Sequence, residues 1–374
     1  MLKRLIWSAE ACFSFGIGLR ARATHRFTSL LANAPEPDLS STEASFATVR
    51  SRHPITKLKQ ASALQTLIML AIAAAILLSP PAPDTSVTFA AVGDVMLARG
   101  IGKRITENST KWPFAHVRDK LRAADLTFCN LEFPFTHDGL KVNKPFCFKG
   151  DPANVACLTD AGFDIVSLAN NHTLDCGRDG LTDTMRTLDA ASVAYAGAGP
   201  TEADARAPRI LTVNGLRIAI LARNAWLPEI VWYRTDAPTI APLDPDTIED
   251  EIRAAARQAD VVIVSVHWGE EFAKHPCPDQ IDLAHKMIDA GANLVIGHHT
   301  HTLQPIEEYH KGVIAYSLGN FVFDNSRPVC LDSRIFTCRL SRSGVSDVKL
   351  IPTHLDHWRP ALWHDLWHDP WHDQ

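Results

Sequence analysis

The residues best able to do chemistry in this 374-residue chain sit at the ends of apolar runs. "LVIG" leads into His298, His299 and His301. "SVTFAAVG" leads into Asp94, and "ADLTFC" into Asn130 and Glu132. "FDIVSLA" leads into Asn170, Asn171 and His172, and "ADVVIVSV" into His267. Singly, each has an ordinary explanation. Asp94 after Gly93 suits a turn or helix N-cap, and Asn171 an Asx-turn. His267 suits a hydrogen-bonded core histidine, and the histidine run a solvated loop. Together they are carboxylates, amides and imidazoles without a thiolate, the donor set of a hard-to-borderline dinuclear metal centre.

Such residues need elements that bring them to one edge. The runs are nearly continuous in apolar, β-branched residues, as expected of strands buried on both faces. Between them lie helix-like stretches such as "DQIDLAHKMIDAGA", stopped by glycine. This alternation predicts α/β layering, and in open α/β sheets ligands bind beyond the carboxyl ends of the strands. "LTVNGLRIAILA" carries an Asn-Gly hairpin signal. "SRIFTCRLSRSGVSDVKLIP" also reads as an antiparallel pair, so the sheets are expected to be mixed. Arg99 and Lys103, shortly after Asp94, fit either an anion-attracting pair or an ordinary charged helix face.

With 46% hydrophobic residues the chain can bury at least one large core. Its net charge of −5 argues against nucleic acid as a partner, since such proteins carry a basic excess. None of the eight cysteines forms a C-x-x-C pair, which excludes a zinc knuckle or thioredoxin-type motif. Cys147 and Cys157 lie close in sequence, and Cys129 falls inside an expected buried strand.

Residues 1–60 mix basic residues with Ser, Thr and Pro, show no periodicity, and read as a cytoplasmic or disordered leader. Ala61–Leu78 is uncharged and at the short end of the length that spans a bilayer. Arg50, Arg52, Lys57 and Lys59 precede it, and Pro80, Pro81 and Pro83 follow. A signal-anchor or transmembrane helix over 61–79 is therefore expected, with residues 84–374 outside the cytoplasm, in the cell envelope. A cleaved signal peptide, or a start assigned too early with a cytoplasmic protein as the result, are the alternatives. Residues 356–374, with Trp363, Trp367 and Trp371 each before a His-Asp pair, read as a Trp/His/Asp-rich tail.

Six ordered blocks add a resemblance: "AAVGDVML", "CNLEFPFT", "SLANNHTLDCGRDGL", "SVHWGEEF", "LVIGHHTHTLQPIE" and "YSLGNFVFD". They resemble the CapA family of capsule and poly-γ-glutamate biosynthesis proteins, itself similar to calcineurin-like metallophosphoesterases. The resemblance spans residues 86–355. It implies a four-layer α/β/β/α sandwich of the metallophosphoesterase type over 84–355, with two divalent metal ions (Mn, Zn or Fe) at the strand ends. By that likeness Asp94 is the first-strand ligand, and Glu132 stands where a bridging Asp is usual. Asn171 is the amide ligand, His172 the catalytic histidine beside it, and His267 the lone His ligand. His299 and His301 fit the terminal His-x-His, with His298 an alternative through a one-residue shift. Two departures stand out: Val95 and Met96 follow Asp94 where Asp-x-His is usual, and Glu replaces the bridging Asp.

The resemblance implies a membrane-associated protein of anionic-polymer production, carrying a phosphoesterase-like hydrolase site. Its substrate would be an anionic polymer or a phosphoester. Two other readings stay open at this point. One is a non-catalytic accessory subunit that helps a membrane synthase complex assemble or export the polymer. The other is a metal-dependent γ-glutamyl amide hydrolase.

Overall fold

The computed structural model describes residues 85–226 and 235–363, within one compact unit, Pro81–Gln374. The expected anchor at Ala61–Leu78 and the tail beyond Trp363 lie outside the described residues. Among the described residues, no helix is long and apolar enough to cross a membrane.

The apolar runs fold into β1 (Val87–Val95), β2 (Leu126–Leu131), β3 (Ile165–Ser167), β4 (Ala194–Ala196), β5 (Ala198–Gly199), β6 (Arg209–Val213), β7 (Leu216–Asn224) and β8 (Thr239–Ile240). Then follow β9 (Val261–His267), β10 (Leu294–His298), β11 (Ile306–Tyr309), β12 (Gly312–Ala315), β13 (Asn320–Val322), β14 (Asp332–Ser341), β15 (Gly344–Asp356) and β16 (Arg359–Leu362). One sheet has the order β16-β15-β14-β1-β2-β3-β4, with β13 pairing the end of β1. The other has the order β11-β12-β10-β9-β7-β6, and β5 and β8 form a small separate ribbon. Each sheet is parallel at its heart (β1-β2-β3-β4 and β7-β9-β10-β12) and antiparallel at an edge. Both expected hairpins form. Asn214 and Gly215 both take positive φ, as a two-residue β-hairpin turn requires.

Alternation along the strands builds the layers. Phe89 and Ala91 of β1 pack with Ile218 and Ile220 of β7, and with Ile263 and Ile296, in a core between the two sheets. Ala90 and Val92 face the other way, onto Ile101 of helix Arg99–Glu107 and Leu181 of helix Gly177–Ala190. On the far side of the second sheet, Val262 and Val264 meet Ile252 of helix Ile248–Ala256 and Met287 of helix Pro278–Asp289. The layers are therefore helix, sheet, sheet, helix. Residues 359–362, read from sequence as part of the tail, form β16 instead, pairing with the end of β15.

The chain passes from the second sheet to the first through Tyr316–Gly319, between β12 and β13. This crossover is pressed against both sheets. Leu318 N–H donates to Gly297 O (3.3 Å), and Asp94 N–H donates to Gly319 O (2.9 Å). A Cβ on Gly93 would lie 1.8 Å from Gly319 O, and one on Gly297 would lie 1.8 Å from Tyr316 O. Only glycine tolerates such backbone contact, and each of these glycines directly precedes a residue singled out above, Asp94 or His298.

Candidate metal centre

Strand register sets the site. In the first sheet Asp94 pairs with Asn130 on one side and Asn320 on the other. In the second, His267 pairs with His298 and with Asn224. The carboxyl ends of both parallel cores thus deliver polar side chains at matching levels, as expected for open α/β sheets.

The first sheet supplies oxygen atoms held in an amide network. Asn130 Nδ2 donates to Asp94 Oδ1 (2.8 Å) and Glu132 Oε2 (3.2 Å). Asn170 Nδ2 donates to Asn130 Oδ1 (3.0 Å) and to the Leu131 carbonyl (2.8 Å). Asn170 Oδ1 in turn accepts from the His172 and Thr173 amides, 3.1 and 3.0 Å away. β3 is only three residues long, so this side-chain network, rather than a ladder, fixes the turn that carries Asn171 and His172.

The second sheet supplies imidazoles. His267 Nε2 lies 3.0 Å from Asn171 Oδ1 and 3.1 Å from His299 Nδ1, so three potential ligand atoms converge. His301 Nδ1 lies 2.9 Å from Asn320 Oδ1, and its Nε2 faces Glu132 Oε1 at 3.8 Å. Because the Asn320 oxygen can only accept, it places the proton on Nδ1 and leaves Nε2 free for the site. His299 and His301 adopt φ of +91° and +59°. That is strained backbone for residues with a Cβ, of a kind that clusters at ligand sites.

The site's polar atoms fit a cation. Asp94, Glu132 and His267 each offer a ligand atom within 4.8 Å of the others, and all three are buried. Asp94 Oδ2, Glu132 Oε1 and both ring nitrogens of His298 make no hydrogen bond. His298 Nδ1 and His301 Nδ1 approach the two Asp94 oxygens at 3.3 and 3.2 Å, but out of line for a hydrogen bond with Oδ2. Burying carboxylate charge with unsatisfied oxygens costs several kcal/mol per ion unless a cation answers it. Electrostatics agree. Burial, followed by the Asp94 carboxylate, pushes the Glu132 carboxyl well above its usual range. Burial also raises Asp94, but His298 and His301 outweigh it and hold that carboxyl well below the usual range. Burial and then His299 push His267 well down, while burial and then His301 bring His299 to about 3. Neutral imidazole is the form that binds metal.

His172 stands beside this cluster, with Nε2 4.0 Å from Glu132 Oε1. Its Nδ1 lies 2.8 Å from Asp175 Oδ2, and its ring stacks on Phe148 with centroids 4.0 Å apart. Burial lowers its pKa, with Asp175 opposing. Asp175 is fully buried, accepts from Phe148 N–H (2.6 Å), and pairs with Lys144. A cavity of about 250 Å³ opens on His172 and His301, with Arg99, Phe272 and Arg327 in its walls. Arg99 bonds Asp324 (3.2 Å), whereas Lys103 pairs with Glu107 on the exposed helix face. Both basic residues are thus ion-paired, Arg99 at the cavity, where Asp324 and Glu271 also stand, and Lys103 on the exposed helix face.

The structure brings Asp94, Glu132, Asn171, His172, His267, His299 and His301 together. It also places His298 against Asp94, so all three clustered histidines face the site rather than one register of two. Sequence reasoning missed Asp175, Lys144 and Asn320. Asp175 has a local signal, three residues after His172 within one motif. Lys144 and Asn320 have none, because only the tertiary path brings them in.

A family profile described as "Bacterial capsule synthesis protein PGA_cap" matches residues 88–325, which contain every one of these residues. The chain belongs to this family. It is 32% identical over 286 residues to "Capsule biosynthesis protein CapA" of Bacillus anthracis, covering 74% of this chain and 69% of that one. A "probable polyglutamine synthesis accessory protein" of Mycobacterium tuberculosis is 35% identical over 249 residues, covering 63% of this chain and 66% of its own length. Among solved structures, a 5′-nucleotidase precursor from Thermus thermophilus aligns at 13% identity and a TM-score of 0.42, over 74% of this chain and 54% of that one. That likeness is too slight to bear on the site.

Proposed function

We propose that this PGA_cap protein is a metal-dependent hydrolase of the phosphoesterase type, acting on an anionic substrate of cell-surface polymer production. The observation that carries the reading is the buried cluster of Asp94, Glu132 and His267, with unpartnered carboxylate oxygens facing one another. Asp94, Glu132, Asn171, His267, His299 and His301 would hold two divalent ions. Mn, Zn and Fe all accept this mixture of oxygen and nitrogen ligands. When bound, such ions supply Lewis acidity toward water and toward a phosphoryl or acyl oxygen.

The chain's own groups do the rest. His172 faces the site through Nε2 and, in its imidazolium form, which Asp175 favours against burial, would donate a proton or hydrogen bond to the departing oxygen. Asp175 holds Nδ1, fixing the tautomer and the ring plane. Phe148 covers the ring and limits water, and the cavity walled by Arg99 and Arg327 receives the anionic part of the substrate.

A second reading, a non-catalytic accessory subunit beside a membrane synthase, has one observation in its favour. Met96, fully buried, occupies the position of the histidine in the Asp-x-His motif usual in the phosphoesterases that the family resembles, so that ligand is missing from the donor set. Elemental analysis followed by a turnover screen against phosphodiesters and γ-linked glutamyl peptides separates the readings. Metal with turnover supports the hydrolase, and γ-glutamyl cleavage alone would make it an amidase. Metal without turnover, plus co-purification with membrane proteins, supports the accessory role. We also infer that Ala61–Leu78 anchors the chain with the folded domain in the cell envelope. A phosphatase reporter fused after Asp84 should be active outside the cytoplasm, and activity restricted to the cytoplasm overturns that topology.

A further inference from the structure

The segment that supports His172 is weakly held by its own packing. It runs from Thr136 to Lys149, and its Leu140 and Phe146 are 85% and 66% exposed. Yet it delivers four contacts to the histidine's surroundings. Lys144 pairs with Asp175 and donates to Asn171 O (2.8 Å), Phe148 N–H donates to Asp175 Oδ2 (2.6 Å), and the Phe148 ring covers His172. A segment with few buried apolar contacts opens at low free-energy cost, so its hold rests on these polar contacts and on Val142 N–H donating to Asp175 O (2.8 Å).

Two cysteines lie at these contacts. Cys147 Sγ donates to the carbonyl of Asp175 (2.9 Å), the residue just before Cys176. Cys176 Sγ donates to the carbonyl of Phe148 (3.5 Å), the residue just after Cys147. Each thiol therefore rests on the backbone next to the other cysteine, where the two segments cross. We propose that Cys147 and Cys176 form a disulfide that fastens the Thr136–Lys149 segment to the turn carrying His172 and Asp175. Trading the two weak S–H···O contacts for one S–S bond would join the two segments where they cross, and the bond requires Cα atoms about 4.4–6.8 Å apart.

The remaining cysteines offer no such pair among the described residues. Cys129, Cys157, Cys330 and Cys338 are buried apolar residues, and Cys277 is exposed at the start of its helix. Cys157, near Cys147 in sequence, packs instead with Leu158 and Ala161 in the helix-side core. Thiol acidity points to a permanent bond rather than a switch. Burial, then Asp175, raises the Cys147 thiol, and burial, then Cys147, raises Cys176 to about 11. Thiols with no stabilised thiolate give low-potential disulfides that resist small reductants.

The bond forms by exchange with an external disulfide, such as oxidised glutathione or a dithiol–disulfide oxidoreductase. The two cysteine thiols become one disulfide, and the oxidant's disulfide becomes two thiols that take both protons and both electrons.

The test uses the purified full chain, reduced and then incubated with oxidised glutathione. Denatured thiol titration should fall by two. Tryptic digestion should join peptide 142–149 to peptide 150–178, which contains both Cys157 and Cys176. Cys157→Ser should keep the joined peptide, and Cys176→Ser should lose it. Melting temperature should rise by several degrees on oxidation and return with a trialkylphosphine, because the bond closes a loop of about 30 residues. Glutathione adducts without a joined peptide, or a joined peptide that survives Cys176→Ser, overturn the proposal. These readouts need neither metal nor substrate.

Discussion

The two halves of the candidate centre are built on different principles. On the first sheet, Asp94 and Glu132 sit in a chain of amide hydrogen bonds that runs through Asn130 and Asn170 to the turn carrying Asn171 and His172. On the second, His267 and His299 meet each other, His298 and His301 approach Asp94, and Asn130, Asn171 and Asn320 touch the imidazoles singly rather than as a chain, while His299 and His301 hold strained backbone. The oxygen half is satisfied by the protein apart from the outer carboxylate oxygens. The imidazole half leaves ring nitrogens of His298 without partners, in a buried setting. A preformed oxygen cradle and an unsatisfied imidazole wall together imply that bound cations stabilise the second half more than the first.

Removing a ligand from either half should give the largest effect. His267→Ala or Asp94→Ala should lower metal content by half or more, read by elemental analysis. Full occupancy in both would remove the centre from these residues. Next comes His172→Ala. It should keep its metal while kcat falls about 10²–10⁴-fold on a substrate found by the screen. Loss of metal there would make His172 a ligand and shift the motif by one residue. Asp175→Asn should follow with a drop of about 10–100-fold in kcat, typical of an orienting partner. Because Asp175 acts through His172, KM should change little and metal not at all. A proportionate rise in KM would instead assign Asp175 to substrate binding. Smallest, but closest to the comparison itself, is chelation. Ions present at about 100 times Kd contribute about 2.7 kcal/mol, so the melting temperature should fall by roughly 5–10 °C. Hydrogen exchange should then quicken at residues 298–302 while residues 128–132 stay protected. Equal loosening of both would erase the distinction between the halves.

Much of this was legible because the chain announces its strands. Buried parallel strands must be apolar throughout, so a polar residue at a run's end stands out, and Asp94, Glu132, His267 and the histidine cluster were all visible that way. The Asn-Gly hairpin was equally plain, since few other pairs accept two positive φ values. The supporting residues were less legible, for a physical reason. Asn130 was visible at the end of its run, but its role, holding the Asp94 and Glu132 carboxylates, shows only when register sets it beside Asp94. Asn320 reaches His301 only because the chain changes sheets just before it. Lys144 comes from an exposed stretch without periodicity, where a lysine ordinarily means solvent. β16 was hidden as well, because "RPAL" beside a Trp/His/Asp repeat carries too short a pattern to read as a strand.

The crossover at Tyr316–Gly319 has a mechanical consequence. Consecutive residues grip Gly297 on one sheet and Asp94 on the other, so this stretch works as a gauge block between the two walls of the centre. None of its four residues is a candidate ligand; Leu318 packs in the core between the sheets and Ser317 Oγ accepts from Thr300 Oγ1 (3.0 Å). Lengthening or shortening it by one residue would change the gap between oxygen and imidazole donors while leaving every donor in place. On the metal-centre reading, the tolerance of the site for ions of different radius would be set by this four-residue stretch.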